Sequence, residues 1–139
     1  MKKRLPKYLK KEGIQKLIEA TEDGYNVERN KTLIWFMYTT GLRVSEVEQL
    51  NIEDIASNGN IVESFQLTGK GGQERIVIIP NRTREILKEY LEDRIYDFGP
   101  VFIHGKGNRF MAKGIREVIK RIAARGNVTI KSNNGRKFP

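Results

Sequence analysis

Apolar positions recur at helical spacing along most of this chain and at strand spacing in its middle. Ile14, Leu17 and Ile18 share one stripe and predict a short first helix. Gly13 in its opening turn weakens it by up to ~1 kcal/mol relative to alanine. After a loop at Glu22-Asp23-Gly24, Asn26 is a candidate cap for a second helix that runs to Thr40 and stops at Gly41. The centre of that helix, Leu33 to Tyr38, is apolar all round and reads as the buried core. Gly41-Leu42 is a hinge into a third helix. There Val44, Val47 and Leu50 face inward, and Arg43 and Glu46 lie beside that face one turn apart. Ser57 to Asn60 is a turn. Ile61 to Leu67 and Arg75 to Ile79 predict two strands joined across Gly69-Lys70-Gly71-Gly72. Asn81 caps a fourth helix with Ile86, Leu87, Tyr90, Leu91 and Ile95 as its stripe. Val101-Phe102-Ile103 is a short strand or extended piece, and Ile115, Val118, Ile119 and Ile122 mark a fifth helix ending at Gly126. The expected class is α+β, mostly helical with a small antiparallel sheet: a hairpin at about 61–79 and a possible third strand at about 101–103. The expected organisation is a basic lead-in over 1–8, a domain over 9–126 and a polar tail over 127–139.

Composition narrows the chemistry. The chain has 139 residues, enough for one domain with its own core. It has no cysteine and one histidine, His104, which excludes thiol chemistry, disulfides, iron–sulfur clusters and the usual zinc sites. No metal or cofactor is expected. No apolar run approaches the ~20 residues of a membrane span, and the basic N-terminus lacks the apolar stretch of a secretory signal. No membrane partner is expected. Lys and Arg number 26 against 17 Asp and Glu, for a net charge of +9. The excess sits at the ends: residues 1–11 hold six cations and no acid, the middle is net negative, and residues 107–139 hold nine cations against Glu117. Such ends suit a polyanion, nucleic acid first, because a Lys/Arg surface gains by releasing condensed counterions. A surplus of charge that only keeps the protein soluble is the alternative.

Several motifs fail on inspection. Neither the glycines around Lys70 nor Gly105-Lys106-Gly107 forms a Walker phosphate loop. The neighbouring acids Glu53/Asp54 and Glu92/Asp93 do not face each other on a helix and read as solvated surface. His104 reads as an ordinary histidine at a strand end. Two constellations remain. In Thr40-Gly41-Leu42-Arg43-Val44-Ser45-Glu46 an arginine follows a glycine hinge at a helix start, where a guanidinium fork can hold two phosphate oxygens. Glu46 is placed to fix the arginine's rotamer. In Thr68-Gly69-Lys70-Gly71-Gly72-Gln73-Glu74-Arg75 a lysine rides a hairpin tip whose glycines admit close backbone approach. Taken singly, the first also reads as a surface Arg–Glu pair and the second as a solvated turn lysine.

Together, and in this order, the two motifs resemble the catalytic domain of the tyrosine recombinases, the lambda-integrase and Xer-type site-specific recombinases. The resemblance covers about Leu5 to Pro139, opening with Leu5-Pro6-Lys7-Tyr8-Leu9. It implies that Arg43 is the family's first catalytic arginine, Glu46 its supporting acid and Lys70 the catalytic lysine of the hairpin. It also implies metal-independent DNA cleavage and rejoining through a 3′-phosphotyrosyl link. Two arginines stabilise the charge on the phosphate, and the lysine protonates the departing 5′-oxygen. Arg75, Lys113, Arg116, Lys120 and Arg121 are the candidate DNA contacts. The implied partners are double-stranded DNA and other recombinase protomers, with no small-molecule substrate, and the implied location is the cytoplasm, on the nucleoid.

The sequence departs from that pattern at its end. It has no His-x-x-Arg, since position 107 is glycine, and Tyr8, Tyr25, Tyr38, Tyr90 and Tyr96 all precede the place where that box should begin. Gly135 to Pro139 resembles the approach to it. The expectation is therefore a catalytic domain cut before its second arginine and its nucleophile, unable to cleave alone. Loss of the later helices is expected to bare part of the Leu33–Tyr38 core. A non-catalytic DNA-binding or regulatory module on the same fold is the second reading. An RNA-binding domain ranks last, because the paired aromatic strand motif is missing.

Overall fold

The computed structural model describes residues 11–21 and 26–126; the side chains of Lys11, Glu12 and Lys70 lie outside the described set. The expectations for 1–8, for Glu22-Asp23-Gly24 and for the tail from 127 fall outside it as well. Within it the order is α1 (Lys11–Ala20), α2 (Val27–Thr40), α3 (Val44–Gln49), α4 (Ile52–Ile55), β1 (Ala56–Ser57), β2 (Asn60–Ile61), β3 (Ser64–Thr68), β4 (Glu74–Ile78), α5 (Asn81–Asp93), β5 (Ile103–His104), β6 (Asn108–Arg109) and α6 (Ala112–Arg125). The α+β class is as expected.

Helix α2 is the hub. It packs on α1 and α5, and Leu33, Ile34, Phe36 and Met37 are all buried within it. Each such side chain contributes about 1.5–3 kcal/mol through burial. The Phe36 ring lies 5.9 Å from Phe102, and Phe102 stacks on Tyr90 of α5 at 5.7 Å. Of this segment Trp35 and Tyr38 are partly exposed, and the other four residues are buried. Ile14 and Leu17 of α1 and Ile115, Val118, Ile119 and Ile122 of α6 close the core.

The sheet differs from the expectation. Antiparallel pairing forms three separate two-stranded ribbons, β1–β2, β3–β4 and β5–β6. Ile61 belongs to the first ribbon, pairing with Ala56, so the long hairpin starts at Ser64. Val101 and Phe102 are buried but unpaired as strands. Ile103 pairs with Arg109 in the third ribbon and adds no strand to the hairpin. The α4 turn and the β1–β2 ribbon occupy the stretch the sequence left as connection.

Two caps and one stripe are also corrected. Asn26 precedes α2 in a left-handed conformation with no side-chain cap bond. Its carbonyl accepts the Asn30 N–H instead, at 2.9 Å. Asn81 is the first residue of α5 rather than its cap. Ile95 lies beyond the end of that helix and is 87% exposed. The chain turns away there because Arg94 donates to the carbonyls of Tyr96, Pro100 and Val101, at 2.7, 2.6 and 2.7 Å.

Candidate active site

The site starts where α2 stops. Gly41 takes a left-handed conformation, φ 71°, and its N–H still reaches the Met37 carbonyl at 3.0 Å. A β-carbon is disfavoured in that conformation, and glycine is not. Leu42 then plugs the core, fully buried, and Arg43 is extended (φ −79°, ψ 156°) before α3 begins. Alternate burial of Leu42, Val44 and Val47 leaves Arg43 half-buried at the edge.

Glu46 does not pair with the Arg43 guanidinium as expected. Its Oε1 accepts the Arg43 backbone N–H at 2.8 Å and the Arg75 Nη2–H at 3.0 Å. The carboxylate is 6% exposed, so its charge is answered by Arg75 and by a helix-start amide. Among the described residues the buried Arg43 Nε has no hydrogen-bond partner, and neither has the buried Oγ of Ser45, the second residue after it. Unpartnered buried donors are costly and uncommon, and of the two Arg43 is the one that lines the cleft described next.

The other wall is the β3–β4 hairpin. Its register pairs Leu67 with Arg75 and Thr68 with Glu74. The Gly69 N–H donates to the Gln73 carbonyl at 2.6 Å, and Gly71 and Gly72 turn the chain with φ of 79° and 78°. Arg43 and Glu46 on one side, and Leu67, Gly69, Gln73, Glu74 and Arg75 on the other, enclose a cleft of about 260 Å³. Lys70 follows Gly69 in the chain. The described walls carry two guanidinium groups, of Arg43 and Arg75, and two carboxylates, of Glu46 and Glu74.

The far end of α3 is pinned independently. Arg109 Nη1 donates to the carbonyls of Glu48 and Leu50, at 2.8 and 3.3 Å, and its Nη2 donates to Asn51 Oδ1. Glu48 Oε1 accepts the Ala112 N–H at the start of α6, at 2.7 Å. A six-residue helix cannot hold itself together in water, so these contacts set its orientation. Neither Arg109 nor Glu48 has a local spacing that would mark it, and both escape sequence reading.

The remaining candidates lie apart from the cleft. On α6, Lys113, Arg116 and Lys120 share the face opposite the core stripe, at about 100° per residue. Lys113 is exposed and the other two are half-buried, while Arg121 is exposed on the flank. None of the four lines the cleft. His104 is exposed at the end of β5, as expected, and its ring is 6.2 Å from Phe110. A second cavity, of about 400 Å³, lies at the start of α2 beside buried Arg29. The Arg29 guanidinium donates to Asn30 Oδ1 at 2.9 Å and the Ile103 carbonyl at 3.2 Å, and stacks 4.1 Å from the Phe110 ring centre. Burial pushes its pKa down from the usual value; Tyr90 raises it and the Arg121 charge lowers it further. An arginine so placed stays charged and braces α2 against the β5 segment. Among the described residues no group of three or more His, Cys, Asp or Glu could hold a metal, and no helix is long and apolar enough to cross a membrane.

The glycine hinge with Arg43 on one wall and the glycine-rich hairpin turn on the other enclose one cleft. Residues 7–138 match the model of the phage integrase family, and the chain belongs to that family. It is 34% identical over 133 residues to the tyrosine recombinase XerC of Thermodesulfovibrio yellowstonii, covering 88% of this chain and 43% of that protein. It is 28% identical over 125 residues to the tyrosine recombinase XerD of Oceanobacillus iheyensis, covering 85% and 41%. Among solved structures it is similar to the XerH site-specific recombinase bound to its palindromic difH substrate in a post-cleavage complex. The TM-score is 0.67 and the identity 28%, covering 94% of this chain and 38% of that one. The fold also matches the XerA recombinase, with a TM-score of 0.69 at 24% identity, over 89% and 44%. The chain thus spans less than half the length of these relatives.

Proposed function

We propose that this chain is part of the catalytic domain of a site-specific DNA tyrosine recombinase and supplies Arg43 and Lys70 to the scissile phosphate. The observation that carries this reading is the Arg43 Nε, buried without a partner among the described residues, on an arginine that faces the glycine-rich hairpin. A bound phosphate oxygen would satisfy that donor and replace the solvation lost on burial. Arg43 is the group that stabilises negative charge on the non-bridging oxygens, Lys70 the general acid for the departing 5′-oxygen, and Glu46 the acid that fixes the Arg43 backbone. Lys113, Arg116, Lys120 and Arg121 contact the DNA backbone away from the reacting phosphate. The partners are duplex DNA and further recombinase protomers, and the setting is the cytoplasm on the nucleoid. The proposed domain takes in 9–126.

Under this reading the 139 residues bind duplex DNA but form no covalent link to it. A nicked suicide substrate, which traps a phosphotyrosyl adduct, checks both points on one gel. A shifted complex that disappears under denaturation is the expected result. A denaturant-resistant adduct overturns the inability to cleave, and failure to shift the duplex at low salt overturns the DNA reading.

A further inference from the structure

We propose that Arg75 is a positioning residue, which ties the hairpin to α3 and so sets where Lys70 stands relative to Arg43. The sequence suggested Arg75 as a DNA contact, but its Nη2 is spent on Glu46 Oε1, at 3.0 Å. The same oxygen accepts the Arg43 N–H at 2.8 Å. One carboxylate oxygen therefore holds both the backbone from which Arg43 extends and the strand that leads to Lys70.

The hairpin needs such a tie. A two-stranded ribbon is marginal by itself. This one is anchored at its base, where the cross-strand pair Phe65 and Val77 is buried. Nearer the tip Leu67 is half-buried, and Gly71, Gly72, Gln73 and Glu74 are exposed. Ile76 and Ile78 point to the outer face, 63% and 68% exposed, and add nothing to the anchorage. Among the described residues the Arg75–Glu46 bond is the one side-chain hydrogen bond joining this ribbon to α3. Exposure of the Arg75 side chain keeps the energy of the pair small. Its consequence is therefore geometric: loss of the bond leaves the fold in place and frees the tip.

The functional meaning of the tie rests on the recombinase reading, but the tie itself is tested without DNA. The chain has no cysteine, so spin labels attach only where cysteines are introduced. One label replaces Gln73 near the tip and one replaces Glu92 on α5, both exposed. In the otherwise unchanged chain the distance distribution between them is narrow. Arg75→Ala widens it about twofold with an unchanged thermal melt, as expected for local release of a marginal ribbon. Arg75→Lys, whose ammonium still reaches Glu46, restores the narrow distribution. Glu46→Gln keeps an acceptor for the Arg43 N–H but removes the charge, and widens the distribution as Arg75→Ala does. A distribution indifferent to Arg75→Ala, or an Arg75→Lys chain as broad as the alanine variant, overturns the proposal. If the label results hold and the unchanged chain fails to bind duplex DNA, the recombinase reading falls and the tie stands.

Discussion

Phe36→Ala lowers the unfolding free energy by about 3–5 kcal/mol, the cost of removing a large buried aromatic and leaving a cavity. Phe36 is fully buried at the centre of α2, and its ring meets Phe102, which in turn stacks on Tyr90. The substitution therefore empties the junction between α2, α5 and the segment leading to β5. Single domains of this size hold roughly 5–15 kcal/mol in total, so the change removes a large share of it. Thermal denaturation followed by circular dichroism should show a midpoint lower by about 10–15 °C. A loss below about 1 kcal/mol would mean that this ring does not lie at the heart of the fold. Tyr38→Ala, two residues on and only half-buried, is the matched comparison and costs less.

Raising the salt from 50 to 200 mM weakens duplex DNA binding by about a thousand-fold, to order of magnitude. The estimate follows from counterion release, with log affinity falling about 0.9 units per neutralised phosphate per log unit of salt. Arg43, Lys70, Lys113, Arg116, Lys120 and Arg121 are the contacts counted, which puts the slope near −5 to −6, roughly. Fluorescence anisotropy of a labelled duplex across a salt series gives the slope directly. A flat dependence would show that the cationic face of α6 is merely solvated and that the charge surplus serves solubility. Lys120→Ala should reduce the slope by about one unit at every sequence tested, because a phosphate contact reads no bases.

Much of the helical framework was legible because long apolar stripes leave few alternatives. The bounds of α2 were marked by Asn26 and Gly41, although Asn26 acts through its left-handed backbone rather than its side chain. The inward face of α3 followed from Val44, Val47 and Leu50, all buried. The small elements were not legible. Helix α4 is one turn, and β1, β2, β5 and β6 have two residues each, too few to show a period. Ile95 continued the arithmetic of α5, but the carbonyl contacts of Arg94 end that helix before it. In the apolar run of β4 only Val77 is buried within the strand, and Ile76 and Ile78 face outward. In the site, the order of Arg43 and Lys70 was readable as a motif, whereas the connections that place them were not. Glu46 meets Arg75 across 29 residues, and Arg109 meets Glu48 and Leu50 across 61 and 59. Contacts at such separations leave no local spacing, and the i,i+3 rule pointed Glu46 at the wrong part of Arg43.

The central claim is that Arg43 and Lys70 act on one phosphate, and a double-mutant cycle on duplex affinity tests it most directly. Arg43→Ala, Lys70→Ala and the double variant are compared with the unchanged chain at one salt concentration. Two cations on a shared phosphate are coupled, and the account predicts a double variant that departs from additivity by more than about 0.5 kcal/mol. Losses that simply add, within about 0.3 kcal/mol, would place the two side chains on separate phosphates and contradict it.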